Sequence, residues 1–326
     1  FRYRILLKRR PAQGQGHSRR ARRAQLIQST MQGLFQSLIF ITRHPLNRKR
    51  KAAALGGYIR WQIGSRLLPG AVAVPFVDST RLLVTPGMTG ATGNVYCGLH
   101  EFEEMAFVLH ALRPGDFFAD ISANIGSYTV LASGAAGANS FAFEPSPLTF
   151  ARLSDNIRLN KLEPRVIARN MAVGSGPGLL KFTTELDCVN HVLAHGESSN
   201  GAIEVLATAL DEILRGQPLT LMKIDVEGYE TQVIDGAVAA LQSSSLLAVV
   251  IETNGSGSRY GYDESELHSR ILAWNFRPVR YEPLRRELIP VGAKNCGGNT
   301  LYVRDLERLR ERVREAPRHR VHGRWL

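Results

Sequence analysis

Cysteine is scarce in the sequence, and no two cysteines are close to each other. Cys97, Cys188 and Cys296 stand far apart among 326 residues, and no Cys-x-x-Cys pair occurs. A disulfide scaffold or a cysteine zinc site is therefore disfavoured, and the pattern is typical of a reducing compartment. Long apolar runs are also missing, because the stretch 34–41 is too short to span a bilayer and no signal-peptide cleavage pattern follows it. We therefore expect a cytoplasmic protein.

Acidic residues are absent from the first 66 positions, which carry 16 Lys and Arg. Residues 67–303 carry 17 basic and 25 acidic residues, and residues 304–326 carry 8 and 4. The net charge of +12 therefore comes from the two ends of the chain, while the middle is acidic. Nucleic-acid binding needs basic residues at the binding surface, so this distribution disfavours a nucleic-acid partner for the middle.

The N-terminal 70 residues are expected to form two distinct segments. Residues 1–30 combine arginine runs with Gly, Gln and Ser spacers and show no apolar period, which predicts a basic disordered extension. Since the first methionine is Met31, one alternative is that this extension is not native, and another is a basic arm that contacts anionic lipid or nucleic acid. Residues 31–70 predict a basic amphipathic helical segment, which either packs on the domain or lies on an anionic membrane surface.

A complete Gly-x-Gly-x-x-Gly motif is absent, but strand-like and helix-like segments alternate between residues 71 and 303. This alternation predicts an α/β domain with a largely parallel sheet. Its clearest unit is an apolar strand ending at Asp120, a small-residue loop, and a helix over 125–136. Small side chains let the N–H groups at a helix start approach a ligand. Glu144 ends the next strand 24 residues after Asp120, near the roughly 20-residue offset at which an acid reaches a ribose, so the unit predicts a nucleoside ligand.

Five predicted strands end in one region of the domain. Their last residues are Asp120, Glu144, Ala172, Asp225 and Glu252. Ligands bind beyond the carboxyl ends of parallel strands. We therefore expect a crevice that four acids line.

Three further expectations concern local structure. Gly87, Gly90 and Gly93 predict a loop, and we expect substrate selection to depend on residues 87–98 and 183–202. A helix that starts at Pro147 is expected to bury Leu148, Leu153 and Ile157. Residues 304–326, beyond the domain at 71–303, are expected to form a charged helix and a tail.

Several motifs in the middle of the chain resemble those of the FkbM family of S-adenosylmethionine-dependent methyltransferases. The resemblance extends over about residues 95–255, with a weaker match at 299–303, and the motifs occur in the family's order and spacing. The strongest is the block Lys223-Ile-Asp225-Val-Glu227-Gly228. The others are Asp120 to Thr129, Phe143 to Pro147, Asn156 with Asn160, Leu210-Asp211 and Gly236-Ala237.

The resemblance implies an α/β class I (Rossmann-like, seven-stranded) methyltransferase sheet with helices on both faces and S-adenosyl-L-methionine as the methyl donor. It also implies O-methylation of a hydroxyl on a sugar, glycolipid or other small natural product. The alternatives are an RNA or other macromolecule methyltransferase and a degenerate S-adenosylmethionine-binding protein. The acceptor is thus expected to be a small molecule or a glycan.

The same resemblance implies a set of cofactor contacts. The loop at Ser122, Ala123, Asn124 and Gly126 would hold the methionine part, Glu144 the ribose hydroxyls, and the residues after the third strand the adenine. The full expected set is Asp120, Ser122, Ala123, Asn124, Gly126, Tyr128, Glu144, Pro145, Met171 and Ala172. One position departs from the family, since Ser122 stands where glycine is usual, and serine is costlier in a left-handed conformation.

Methyl transfer needs an aligned acceptor oxygen and a group that removes its proton. We expect Asp225 to be that base because it is a strand-end acid at the depth of the cofactor, with His191 and Glu227 as the other candidates. Each candidate also has a non-catalytic alternative. Asp225 could position the cofactor, and His191 could be a solvated loop residue. Glu227 could be a carboxylate in the first turn of a helix, where the helix dipole favours negative charge. No metal is expected, the alternative being a divalent cation held by Asp225, Glu227 and Glu252.

Overall fold

The structure is a computed structural model, and it describes residues 33–67, 70–186, 189–294 and 298–326. The disordered extension expected for residues 1–30 lies outside these ranges. Within them, no helix is long and apolar enough to cross a membrane. The helices are α1 (33–43), α2 (Lys51–Leu67), α3 (Thr89–Cys97), α4 (Phe102–Ala111), α5 (Ser127–Val130), α6 (Pro147–Leu159), α7 (Leu210–Leu214), α8 (Glu230–Asp235), α9 (Val238–Gln242), α10 (Glu264–Ala273) and α11 (Leu306–Glu315).

The strands are β1 (Val72–Pro75), β2 (Arg81–Val84), β3 (Phe117–Ile121), β4 (Asn139–Phe143), β5 (Val166–Arg169), β6 (Ala172–Gly174), β7 (Gly178–Phe182), β8 (Ile203–Ala209), β9 (Leu221–Ile224), β10 (Ala248–Thr253), β11 (Arg277–Glu282), β12 (Glu287–Pro290), β13 (Gly298–Val303), β14 (Arg320–Val321) and β15 (Arg324–Trp325). A π-helical turn, Leu131–Ala135, continues α5, and a 3-10 helix spans Ser256–Tyr260.

The central sheet has eight strands in the order β12-β11-β13-β10-β9-β3-β4-β5. The strands from β10 to β5 are parallel, whereas β13 is antiparallel to both of its neighbours. Two apolar clusters lie on opposite faces of the sheet, one under α4, α6 and α11 and the other under α7 to α10. The expected α/β class I sheet with helices on both faces is therefore confirmed.

The eighth strand, β12, was not expected. It pairs antiparallel with β11 at the edge of the sheet. Its sequence, Glu287 to Pro290, has low strand propensity because it contains both Glu and Pro. Proline is tolerated at an edge, where one side of the strand needs no ladder hydrogen bonds, so the tight connection from β11 decides the pairing.

The expectation of a glycine loop at 87–93 is wrong, because most of this stretch belongs to α3, Thr89–Cys97. A Cβ atom on Gly93 would lie 2.3 Å from Nδ1 of His100. Gly93 is therefore required by close packing of α3 and not by a turn. Substrate contacts from this region would come from a helix.

Two expectations about burial and strand position are also wrong. Leu148 is 66% exposed, while Leu153 and Ile157 are buried. The latter two are four residues apart and share a helix face, whereas Leu148 in the first turn does not. Ala172 does not end a strand of the central sheet but begins β6, in a separate sheet of order β6-β8-β7.

The C-terminal tail is a folded hairpin in the structure. Strands β14 and β15 pair with each other, and Val321 also bridges to Val77 in the connection of the first hairpin, which β1 and β2 form. Nδ1 of His319 lies 2.7 Å from Oδ2 of Asp78. The C-terminal residues therefore pack on the start of the domain expected at 71–303.

Candidate active site

The loop after β3 turns sharply through three residues with left-handed backbone. Ser122, Asn124 and Gly126 have φ angles of +64°, +53° and +87°. Asparagine tolerates this region, whereas serine lacks that preference and costs about 1–2 kcal/mol there. A Cβ atom on Gly126 would lie 2.5 Å from Cδ1 of Leu153, so a larger residue would displace that side chain as well as strain the backbone. The departure at Ser122 thus falls on a residue whose backbone is strained.

Glu144 connects this loop to the next one. Its buried carboxylate accepts hydrogen bonds from the backbone N–H of Asn124 through Oε2 and from that of Ser146 through Oε1, both at 2.9 Å. Burial raises the pKa of Glu144 to about 7, although the two N–H donors oppose this shift. The side chain therefore fixes both loops and still has acceptor lone pairs for a ligand.

A narrow cavity lies beside this carboxylate at the carboxyl ends of β3 and β4. Four of the expected cofactor residues line it: Ser122, Pro145, Met171 and Ala172. The remaining wall includes Asn190, Val192 and Tyr229. Asn190 and Val192 belong to the 183–202 insert, which was expected to select the substrate, and the structure places them in the wall of this cavity beside the expected cofactor residues.

Asn156, one of the family-like residues on α6, supports the loop from below. Its buried side-chain amide donates to the carbonyl of Ile125 at 2.8 Å, and its Oδ1 accepts from the N–H of Leu83 at 2.7 Å. These contacts join the loop to β2, so Asn156 has a structural role.

Asp120 is almost completely buried at the end of β3. Its Oδ2 accepts from the hydroxyl of Thr129 at 2.6 Å, while Oδ1 has no hydrogen-bond partner among the described residues. Strand register pairs Asp120 with Lys223 on β9. Burial raises the pKa of Asp120, and the charge of Lys223 opposes that rise.

Lys223 is the buried cation of the site. Its Nζ donates to Oδ2 of Asp225 at 2.8 Å and lies 4.8 Å from the ring centroid of Tyr128. Burial alone would lower the pKa of Lys223, but the carboxylates of Asp225, Glu101 and Asp120 raise it above its ordinary value. A lysine inside the otherwise apolar strand Leu221–Ile224 is a signal that sequence analysis could have used.

Asp225 is the expected base, and its side chain remains 29% exposed. Burial tends to raise the pKa of Asp225, but the ammonium of Lys223 and its hydrogen bond outweigh burial and lower that pKa. Asp225 is therefore a carboxylate near neutral pH and can accept a proton.

Glu227 and Glu252 lie beside Asp225, and carboxylate oxygens of all three are within 4.8 Å of one another. Burial, followed by repulsion from Asp225, raises the pKa of Glu227 to about 8 and that of Glu252 to about 11. Neighbouring acids with pKa values pushed apart divide into an ionised member and protonated members. The geometry fits a protonated Glu252 next to ionised Asp225, or a divalent cation that all three acids bind.

Glu230 stabilises the turn that places Glu227. Its Oε1 accepts from the N–H groups of Gly228 at 3.1 Å and Val226 at 3.3 Å. A Cβ atom on Gly228 would lie 2.5 Å from the carbonyl oxygen of Ser256. The turn after β9 is therefore fixed by contacts that require glycine.

Glu101, which the sequence analysis did not select, closes the site from the start of α4. Its Oε2 accepts from the hydroxyl of Tyr128 at 2.7 Å, and its Oε1 accepts from Nδ2 of Asn299 at 2.8 Å. The hydroxyl of Tyr128, an expected cofactor contact, is therefore bonded to Glu101. Asn299 lies opposite Glu252 in the register of β13 and β10.

His191 is not the solvated loop residue that one alternative described, because it is buried. Its Nδ1 lies 3.0 Å from the carbonyl oxygen of Val189, and its Nε2 lies 3.1 Å from Oε1 of Glu197. Both ring nitrogens thus contact acceptors within its own insert. The structure brings Asp225, Glu227 and Glu252 together, whereas the contacts of His191 within the described part of the chain are with Val189 and Glu197.

Comparison with known proteins identifies this region. Residues 120–278 match the family model described as the methyltransferase FkbM domain. The chain carries an FkbM methyltransferase domain. Its range begins at Asp120 and contains the loop, Glu144 and the acid cluster, whereas Glu101 and Asn299 lie outside it. Residues on both sides of the FkbM domain thus complete the site.

Over 154 residues the chain is 30% identical to the hexuronic acid methyltransferase AglP of Haloferax volcanii. The alignment covers 46% of this chain and 62% of that protein, so the chain spans less than two thirds of the relative's length. Among solved structures, a methyltransferase FkbM from Methylobacillus flagellatus KT is 16% identical, with a TM-score of 0.40 and coverage of 65% of this chain and 52% of that chain. An rRNA methylase from Streptococcus thermophilus is 13% identical, with a TM-score of 0.36 and coverage of 62% and 94%.

Proposed function

We propose that the chain is an S-adenosylmethionine-dependent O-methyltransferase whose acceptor is a hydroxyl group of a sugar or another small molecule. The observation that carries the proposal is the ion pair of the partly exposed Asp225 with the buried Lys223 at the end of β9 in the FkbM domain. It provides a carboxylate that stays ionised at neutral pH. The name of the relative AglP supports a sugar acid as the acceptor class.

The residues of the cleft fit S-adenosylmethionine. The turn from Ser122 to Gly126 has a left-handed backbone at three positions, and the carboxylate of Glu144, which already accepts from the N–H of Asn124, offers further buried lone pairs for the ribose hydroxyls. Met171 and Ala172 would flank the adenine. When bound, the cofactor supplies a methyl group that is already activated on a sulfonium.

The chain's own residues would then position the acceptor and remove its proton. Asp225 accepts the hydroxyl proton, and Lys223 keeps it ionised until that moment. Glu252, whose raised pKa keeps it protonated, has a carboxylate oxygen within 4.8 Å of one of Asp225 and would orient that base. His191 is disfavoured as the base because both of its nitrogens already contact acceptors.

The direct test is methyl transfer from a labelled donor to a panel of acceptors with the purified full chain. Uronic acids, uronic-acid-containing glycans, neutral sugars and transfer RNA form the panel, and mass spectrometry locates the added methyl. Label on a sugar hydroxyl is the expected result. Label only on RNA, or on a carboxylate or nitrogen, would refute the O-methyltransferase proposal.

A further inference from the structure

The helical segment formed by α1 and α2 combines exposed cations with an absence of acids. Residues 33–67 contain seven Lys and Arg and no Asp or Glu. All seven are exposed, and none forms a salt bridge within the part of the chain that the structure describes. They are Arg43, Arg48, Lys49, Arg50, Lys51, Arg60 and Arg66. The positive charge of this surface is therefore not neutralised by nearby acids of the segment, and the surface attracts anions.

The same segment exposes large aliphatic side chains. Ile59, Ile63 and Leu67 are 56%, 57% and 73% exposed and follow one another at four-residue steps, which places them on one face of α2. Leu34 and Phe35 on α1 are exposed as well. These five are among twelve exposed large hydrophobic residues in the described parts of the chain, so the segment holds far more than its share.

Packing on the domain uses other residues of these helices and leaves the aliphatic face free. Ile41, Leu46 and Trp61 are buried, and Nε2 of Gln62 donates to the hydroxyl of Tyr96 at 3.1 Å. These contacts anchor α2 on the domain. The helix is therefore held in place without any partner on its exposed aliphatic face.

A groove of about 680 Å³ runs along the adjacent side of α2. Its lining includes the cations Arg50 and Arg60 together with the apolar side chains of Trp61, Val72 and Val74. Guanidinium groups beside apolar walls fit a ligand that has an anionic head and an apolar chain.

We propose that the surface of α1 and α2 docks on a lipid bilayer that contains anionic lipids. Ile59, Ile63 and Leu67 enter the boundary between headgroups and acyl chains, and the exposed Lys and Arg contact lipid phosphates. Nucleic acid would use the same cations but would leave the aliphatic face in water. Residues 1–32 are a poor cover for this surface, because they contain nine further Lys and Arg and no acid and would be repelled by it.

The test is co-sedimentation of the full chain with vesicles of phosphatidylcholine alone or of phosphatidylcholine and phosphatidylserine in equal amounts. Binding is expected only with phosphatidylserine and should weaken as salt rises. The variant I59S/I63S/L67S should lose about tenfold or more of this affinity, since three apolar side chains no longer enter the bilayer. R48Q/K49Q/R50Q should also bind these vesicles more weakly, because three positive charges no longer attract the lipid phosphates.

The matched control is L179S/L206S/L284S, which removes three exposed leucines from other surfaces and should bind like the unaltered chain. Melting curves of each variant establish that it is folded. Equal binding by the two triple serine variants would overturn the proposal. The proposal would also be overturned if the unaltered chain were a dimer and I59S/I63S/L67S a monomer, because the face would then bind a second copy. It would equally be overturned if the chain bound duplex RNA but not vesicles, and the variant bound the RNA as well as the unaltered chain does.

Discussion

Nζ of Lys223 lies 2.8 Å from Oδ2 of Asp225, two residues further along the chain. The pair lies where strand β9 ends and the chain turns into the cleft. The side chain of Lys223 is buried, whereas that of Asp225 is 29% exposed. The buried cation thus determines the charge of the residue that can meet a substrate.

Replacing Asp225 with Asn should lower kcat for methyl transfer by about 10²- to 10⁴-fold, the usual contribution of a general base. Cofactor binding should persist, since the amide has nearly the shape of the carboxylate. Single-turnover transfer and calorimetric titration of S-adenosylmethionine measure the two effects. The exposed Glu163→Gln is the matched control, and loss of cofactor binding in Asp225→Asn would assign Asp225 to positioning the cofactor.

Replacing Lys223 with Met should move the acidic limb of the pH–rate profile to higher pH. The cation lowers the pKa of Asp225, so its removal raises that pKa and a higher pH is needed to ionise the base. The pH dependence of kcat is the measurement, with Lys223→Arg expected to restore part of the normal profile. A uniform loss of rate without movement of the limb would contradict this positioning role.

Replacing Ser122 with Gly should strengthen cofactor binding by a few-fold, because glycine takes a φ of +64° without strain. Ser122→Val should weaken binding strongly, since a β-branched residue is disfavoured in this conformation. Titration of both variants with S-adenosylmethionine tests the pair. Weaker binding by Ser122→Gly would show that the serine hydroxyl itself contacts the ligand.

Thermal stability should fall between pH 6 and pH 8. Burial raises the pKa values of Glu144 and Glu230 to about 7 and, with repulsion from Asp225, that of Glu252 to about 11. In this window these three acids bind more protons in the folded state than in the unfolded state, so their contribution to the free energy of unfolding decreases as pH rises. The lowered pKa values of buried histidines such as His44 and His110 oppose this only toward pH 6. Calorimetry at the two pH values measures it, and Glu252→Gln, which mimics the protonated acid, should raise the Tm at pH 8 by a few degrees.

Chelation with EDTA should leave methyl transfer unchanged. A protonated Glu252 removes one negative charge from the cluster of Asp225, Glu227 and Glu252, so a cation is not needed to hold these acids together. Rate assays with and without EDTA, followed by added magnesium, test this. Loss and rescue of activity, together with a magnesium-dependent rise in Tm that Glu252→Gln abolishes, would establish a cation site instead.

The sequence by itself determined the alternation of strands and helices, the loop after β3 and the strand-end acids Glu144 and Asp225. These features depend on local periodicity and on residue types at fixed spacing, which a single sequence displays directly. The family-like motifs agree with the FkbM domain found over residues 120–278. The expected roles of the individual site residues stay predictions.

Tertiary structure alone decided which distant residues meet those acids. Glu101 directly precedes α4, while Lys223 and Asn299 lie in β9 and β13, and only strand register and helix packing bring them to one site. Packing also decided that Gly93 lies in a helix and that the C-terminal residues form a hairpin on the first one. Contacts between residues far apart in sequence leave no local period, so their partners follow from the assembled fold.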